Sequence, residues 1–176
     1  MNFMAKNYKC ILVISDLHLP YHKKDAFNFL RAIKKKYPID YVVNIGDELD
    51  AHALSFHDTD PDLLSAGMEL DKAKEYIREL EKMFPQMTLV HSNHSSLIYR
   101  RALRHGMPRA YLKDYNEFLG VGKGWKWVED LNLKMSNGQE CFFTHGISAD
   151  GLKLAMQYGL SLIHISEPTR PRLISY

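Results

Sequence analysis

Cys10-Ile11-Leu12-Val13-Ile14-Ser15-Asp16-Leu17-His18 is an apolar run that ends on a carboxylate and an imidazole. A short, unbroken apolar run of this kind reads as a strand buried on both faces. The polar pair that follows it therefore sits at the strand's carboxyl end. The arrangement recurs. Tyr41-Val42-Val43-Asn44-Ile45 is followed by Gly46-Asp47, and Met87-Thr88-Leu89-Val90-His91 by Asn93-His94. Between the first two runs, Lys24 to Lys36 places Phe27, Leu30 and Ile33 or Ala32 at helical spacing. Between the next two, Gly67 to Phe84 carries Leu70, Ala73, Ile77, Leu80 and Phe84 on one stripe until Pro85 stops the helix. The order βαβαβ predicts an α/β fold with a largely parallel sheet.

The second half changes character. Leu97 to His105 and Pro108 to Phe118 predict short helices separated at Gly106. Trp125 to Val128, Leu131 to Met135 and Glu140 to Thr144 predict strands. Asn137-Gly138 predicts a hairpin between the last two, because both residues tolerate positive φ. His145-Gly146 follows the last strand, and Asp150 is placed to cap a helix over Leu152 to Tyr158. Ligands of open parallel sheets bind outside the strands' carboxyl ends, so the four polar clusters can converge. Each supplies oxygen or imidazole donors of the kind that divalent metals take.

Asp16-Leu17-His18, Gly46-Asp47, Asn93-His94 and His145-Gly146 resemble, in order, the D-x-H, G-D, N-H and H-G blocks of calcineurin-like metallophosphoesterases. That resemblance implies a four-layer α/β/β/α sandwich with a dinuclear metal site at the sheet edges. Carried over, it makes Asp16 and His18 ligands of one ion, Asp47 the bridging ligand, and Asn93 and His145 ligands of the other. His94 faces the scissile phosphate as acid or phosphate stabiliser. The implied reaction is hydrolysis of a phosphate ester by in-line attack of a metal-activated water on phosphorus. The ions are drawn from Mn²⁺, Fe, Zn²⁺ and Mg²⁺, with Mn²⁺ favoured. A catalytically silent domain that binds phosphate groups or a partner protein is the alternative.

Two departures from the family pattern stand out. Ser92-Asn93-His94-Ser95 replaces the usual G-N-H-D or G-N-H-E, which removes an acid that could orient His94. The G-H-x-H block that supplies the last two histidines does not occur either. After Gly159-Leu160 the chain reads Ser161-Leu162-Ile163-His164-Ile165-Ser166-Glu167-Pro168, where His164 can replace at most one ligand. This string resembles a translated sequencing-adapter artefact. The expected organisation is thus an incomplete domain over residues 1–160, its second sheet truncated, and a non-native or disordered tail over 161–176. Asn44 to Asp50 and the Ser-Asn-His block resemble phage-like and bacterial versions of the family.

Other residues invite roles around that site. His52 and His57 lie in an acidic loop after Asp47, and His52 is a candidate substrate or metal contact. Arg100 and Arg101, shortly after His94, are candidates for phosphate oxygens, since a guanidinium fork suits them. With the acidic loop, they favour phosphodiesters over monoesters and leave nucleic acid or a nucleotide open as substrate. His22 reads as a surface residue and His91 as a core or rim histidine. Trp125 and Trp127 read as rings buried on one strand. A length of 176 residues suits a single domain, and 45% apolar with 25% charged residues is ordinary for a soluble protein. A formal charge of +2 gives no bulk electrostatic case for nucleic acid. No apolar run approaches the roughly 18 residues of a membrane span. Cys10 and Cys141, both in strand-like runs, predict free thiols and a reducing cytoplasm.

Overall fold

The computed structural model describes residues 7–146 except 57 and 59. Helices and strands alternate through most of these residues. Strand β1 (Ile11–Ile14) leads to helix α1 (Ala26–Lys36), β2 (Tyr41–Asn44), α2 (Ala66–Met83) and β3 (Met87–Val90). The chain continues through α3 (Leu97–Arg104), α4 (Tyr115–Leu119), β4 (Trp125–Val128), β5 (Leu131–Lys134) and β6 (Glu140–Phe143). Strands β1 to β4 form one parallel sheet in sequence order, with Leu12 beside Val42 and Leu89 beside Trp127. Strands β5 and β6 pair antiparallel in a second, small sheet. This is the mixed α/β architecture expected, with β4 joining the parallel sheet as its fourth strand.

Helices α1 and α2 pack against the large sheet. Helix α2 buries Ala73, Ile77, Leu80 and Met83, the i, i+3, i+4 spacing that one buried stripe requires. They pack with Phe27 and Leu30 of α1, and with Val42, Leu89 and Trp125 of the sheet. Phe84 and Leu119 close the ends of this core. Trp125 is fully buried, and its indole N–H donates to the Phe84 carbonyl at 2.9 Å. Asp40 ties the strand starts together by accepting the backbone N–H groups of Lys9 and Cys10.

Several local expectations need correction. Pro108 to Phe118 does not form one helix. A 3-10 turn at Arg109–Tyr111 ends before Asp114, whose carboxylate accepts the Glu117 N–H and caps the separate α4. The hairpin between β5 and β6 places only Gly138 at positive φ, at 86°. Asn137 instead lends its side-chain oxygen to the Gln139 N–H. That is a longer loop with one left-handed residue rather than a two-residue primed turn. His22 is not simply exposed, since its ring packs between Phe27 and Tyr76, at 5.1 and 4.3 Å between centroids. Cys10 and Cys141 are free thiols. No helix among the described residues is long and apolar enough to cross a membrane. The expected tail over 161–176, the helix after Asp150 and His164 lie outside the described residues.

Candidate metal centre

Pairing between β1 and β2 continues past the strands. Asp16 N–H donates to Gly46 O at 3.2 Å, His18 N–H to Asp47 O at 2.9 Å, and Leu19 N–H to Glu48 O at 3.0 Å. Asp50 N–H returns the bond to Leu19 O at 3.0 Å. Two loops that leave adjacent parallel strands are thereby laced together, which sets Asp16 and His18 beside Asp47. To turn the side chains into the gap, the backbone is left-handed at Asp16 (φ 52°), His18 (φ 49°) and Asp47 (φ 55°). Such a conformation costs about 1–3 kcal/mol at a non-glycine residue and concentrates at functional sites.

The imidazoles are oriented from behind. His18 Nδ1 lies 2.8 Å from Asp50 Oδ1, His145 Nδ1 lies 2.9 Å from the Ile45 carbonyl, and His94 Nδ1 meets the Asp50 carbonyl. Each partner oxygen only accepts, so Nδ1 carries the proton and Nε2 turns a lone pair into the gap. His18 Nε2 lies 3.6 Å from Asp47 Oδ2 and 3.9 Å from Asp16 Oδ1. His145 Nε2 lies 3.6 Å from the same Asp47 oxygen and 2.7 Å from Asn93 Oδ1. One carboxylate oxygen thus stands between two sets of donors. His18, Asp47 and His94 also each offer a donor atom within 4.8 Å of the others, a group that could hold a metal ion.

These residues fit a cation. Asp47 is only 5% exposed, and a buried carboxylate needs compensating positive charge. Around it, His145 Nε2 and Asn93 Oδ1 point lone pairs at each other, an arrangement that a shared positive ion relieves.

The third loop is held by two hydroxyls. Ser92 Oγ accepts the Asp47 N–H at 3.0 Å and the Ser95 N–H at 3.1 Å, while Ser95 Oγ accepts the Ser92 N–H at 2.9 Å. This reciprocal pair closes the turn that presents Asn93 and His94. Gly46 is where everything closes in. A Cβ there would lie 2.5 Å from Ser92 Cβ and 2.8 Å from His145 Nδ1, and its φ is 108°.

Four strand-end loops thus meet at one edge. A sequence model of calcineurin-like phosphoesterases matches residues 11–168. The chain belongs to this family. No curated protein and no solved structure matches it.

In this calcineurin-like phosphoesterase, Asp16, His18, Asp47, Asn93, His94 and His145 come together at the carboxyl edge of the sheet. The missing acid at Ser95 does not leave His94 unsupported, because the Asp50 backbone oxygen accepts a hydrogen bond from its Nδ1–H. Asp50 escaped the sequence reading, although it steadies two histidines, because it sits in a loop whose acids look merely solvated. Its signal was its spacing, three residues beyond Asp47. The side chains of His52, Arg100 and Arg101 make no hydrogen bond or ion pair with these six residues among the described residues. His52 Nε2 accepts the Asp60 N–H at 2.9 Å, and Arg101 donates to the carbonyls of Leu54, at 2.8 Å, and Ser55. His91 is a rim residue that packs on Tyr115.

Glu48 was also missed. Its carboxyl is fully buried directly behind Asp47, and neither oxygen has a hydrogen-bond partner. Burial, with a smaller contribution from the Asp47 charge, pushes its pKa up to about 7. Its own backbone N–H pulls in the opposite direction and offsets this only in part.

Proposed function

We propose that this chain hydrolyses phosphate esters, phosphodiesters ahead of monoesters, with two divalent metal ions. The observation that carries the reading is Asp47 Oδ2, 3.6 Å from both His18 Nε2 and His145 Nε2. An oxygen so placed can serve two ions at once. Asp16 and His18 would complete one position, and Asn93 and His145 the other. Ions bound there would supply a water of lowered pKa and would neutralise charge on the phosphoryl oxygens.

The remaining chemistry belongs to His94. With Nδ1 committed to the Asp50 carbonyl, Nε2 is the atom turned toward substrate. Protonated, it hands that proton to the leaving oxygen as the phosphorus–oxygen bond breaks and water's oxygen forms the new one. The His18 ring stands edge-on to it, centroids 4.8 Å apart, and limits how far it can swing.

The test is metal analysis of the purified protein together with Mn²⁺-dependent hydrolysis of bis(p-nitrophenyl) phosphate. Two ions per chain and turnover are expected, both abolished in Asp47→Ala. His94→Ala should retain its metal and lose about 10²–10⁴-fold in rate. Loss of metal from His94→Ala would instead make His94 a ligand, as its position beside His18 and Asp47 permits.

A further inference from the structure

Phe56 follows the 3-10 turn His52–Leu54 and is 37% exposed. Three guanidinium groups face its ring: Arg100 at 5.3 Å from the centroid, Arg101 at 4.2 Å and Arg104 at 5.2 Å. All three come from α3. Placing Arg100 and Arg104 one helical turn apart sets like charges side by side, an arrangement that costs stability. The ring's negative face offsets part of that cost. Among the described residues, no carboxylate lies within ion-pair distance of any of the three.

Their duties differ. Arg101 spends its N–H groups on the Leu54 and Ser55 carbonyls and so clamps the loop to the helix. Arg100 and Arg104 are exposed, and their guanidinium groups make no hydrogen bond among the described residues. Their location follows from the chain path. The Phe56 loop is the continuation of Asp50, and α3 is the continuation of His94. Helix α3 begins at Leu97, whose N–H donates to the His94 carbonyl at 3.0 Å, so Arg100 lies one turn into the helix and Arg104 two. Cations gathered on the two segments that run on from His94 and Asp50 suit an anion.

We infer that Arg100 and Arg104 form a subsite for a second phosphate group of the substrate, beyond the one that is cleaved. Phe56 orients the pair, and Arg101 is a positioning residue that holds Phe56 in place. The inference rests on the phosphoesterase reading above. It narrows that reading to esters that carry a further phosphate. Three guanidinium groups already occupy the surroundings of the Phe56 ring, so the recognition is of phosphate charge rather than of a stacked base. The second phosphate can come from a nucleic-acid chain or from a small bisphosphorylated molecule.

The experiment compares the Mn²⁺-loaded wild type with R100Q/R104Q. One readout is equilibrium binding of thymidine 5′-phosphate, thymidine 3′,5′-bisphosphate and a tetrathymidylate. The other is kcat/KM for the p-nitrophenyl ester of thymidine 5′-phosphate with and without a 3′-phosphate. The wild type should prefer the second phosphate by about tenfold or more, as charge-assisted pairing implies. The double variant should lose that preference, chiefly through KM, and raising salt should erode it in the wild type. A gain for the bisphosphate or the tetranucleotide supports the subsite and names its source. The same preference in both proteins, or none in the wild type, overturns it. If the wild type hydrolyses neither ester yet binds the bisphosphate more tightly in this arginine-dependent way, the hydrolase reading fails while the subsite stands.

Discussion

At the scale of single residues, Gly46 carries the tightest constraint. A methyl group there meets Ser92 Cβ at 2.5 Å and the His145 ring at 2.8 Å, whereas at Gly106, also left-handed, it meets nothing within 4 Å. Gly106→Ala therefore reports backbone strain alone, about 1–2 kcal/mol. Gly46→Ala adds a clash that must push His145 or Ser92 away. Urea unfolding should show the Gly46 variant losing clearly more stability, and metal analysis should show it depleted in metal. Equal costs and full metal content would mean that the loops give way freely. A milder change, Ser92→Ala, strips the Asp47 N–H of its acceptor and should cost about 1–3 kcal/mol. The residues proposed as ligands stand out in the sequence because carboxylate, amide and imidazole in fixed order after apolar runs form a rare pattern. Asp50, Ser92 and Ser95 do not, since their value lies in which backbone groups they meet, and that is decided by the turn.

At the scale of elements, the 3-10 turn His52–Leu54 depends on a residue from another helix. Glu69, in the first turn of α2, is 3% exposed and accepts the N–H groups of His52 at 2.9 Å and Ala53 at 3.1 Å. It does for this turn what a side chain at a helix N-terminus does for its own helix. Glu69→Ala should destabilise the protein by about 2–3 kcal/mol through two lost charge-assisted bonds. The loop around Phe56 should then be cut by protease under conditions where the wild-type loop survives. Unchanged cleavage would show that the Arg101 clamp suffices. The main helices and strands were readable because their stripes and apolar runs are long. The break at Asp114 was hidden, since Pro108 to Phe118 carries no internal glycine and its cap requires the Glu117 N–H to be in place. Glu69 looked like an ordinary polar-face residue of α2, because helical spacing says nothing about what the rest of the chain lays over it.

At the scale of the whole molecule, Glu48 makes folding sensitive to pH. Its pKa rises from 4.5 to about 7 on folding, so the native state holds a proton that the unfolded chain releases earlier. That contribution is fully present below about pH 4.5 and is lost as pH rises through about 7. The loss amounts to about 3 kcal/mol, because each tenfold change in proton affinity is worth about 1.4 kcal/mol. Glu48→Gln keeps the shape and removes the charge. In chelator-treated protein, its melting temperature should exceed that of the wild type by more at pH 8 than at pH 5. A constant difference would mean that Glu48 is not the group responsible. The parallel order of the large sheet could be read from the chain because each crossover carries a helix pattern. The burial of Glu48 could not, because a glutamate in a polar strand-end loop looks solvent-facing until the rest of the chain covers it.

The left-handed backbone at Asp16 and Asp47 also bears on how such a chain can drift over generations. Few side chains accept that conformation, and asparagine and aspartate are the easiest after glycine. The step most tolerable to the backbone, Asp to Asn, is the one that removes the charge on which the proposed metal site would depend. Branched residues such as valine are barred by shape alone. Lineages that abandon the chemistry should therefore carry asparagine or glycine at these two positions, with the loops otherwise unmoved.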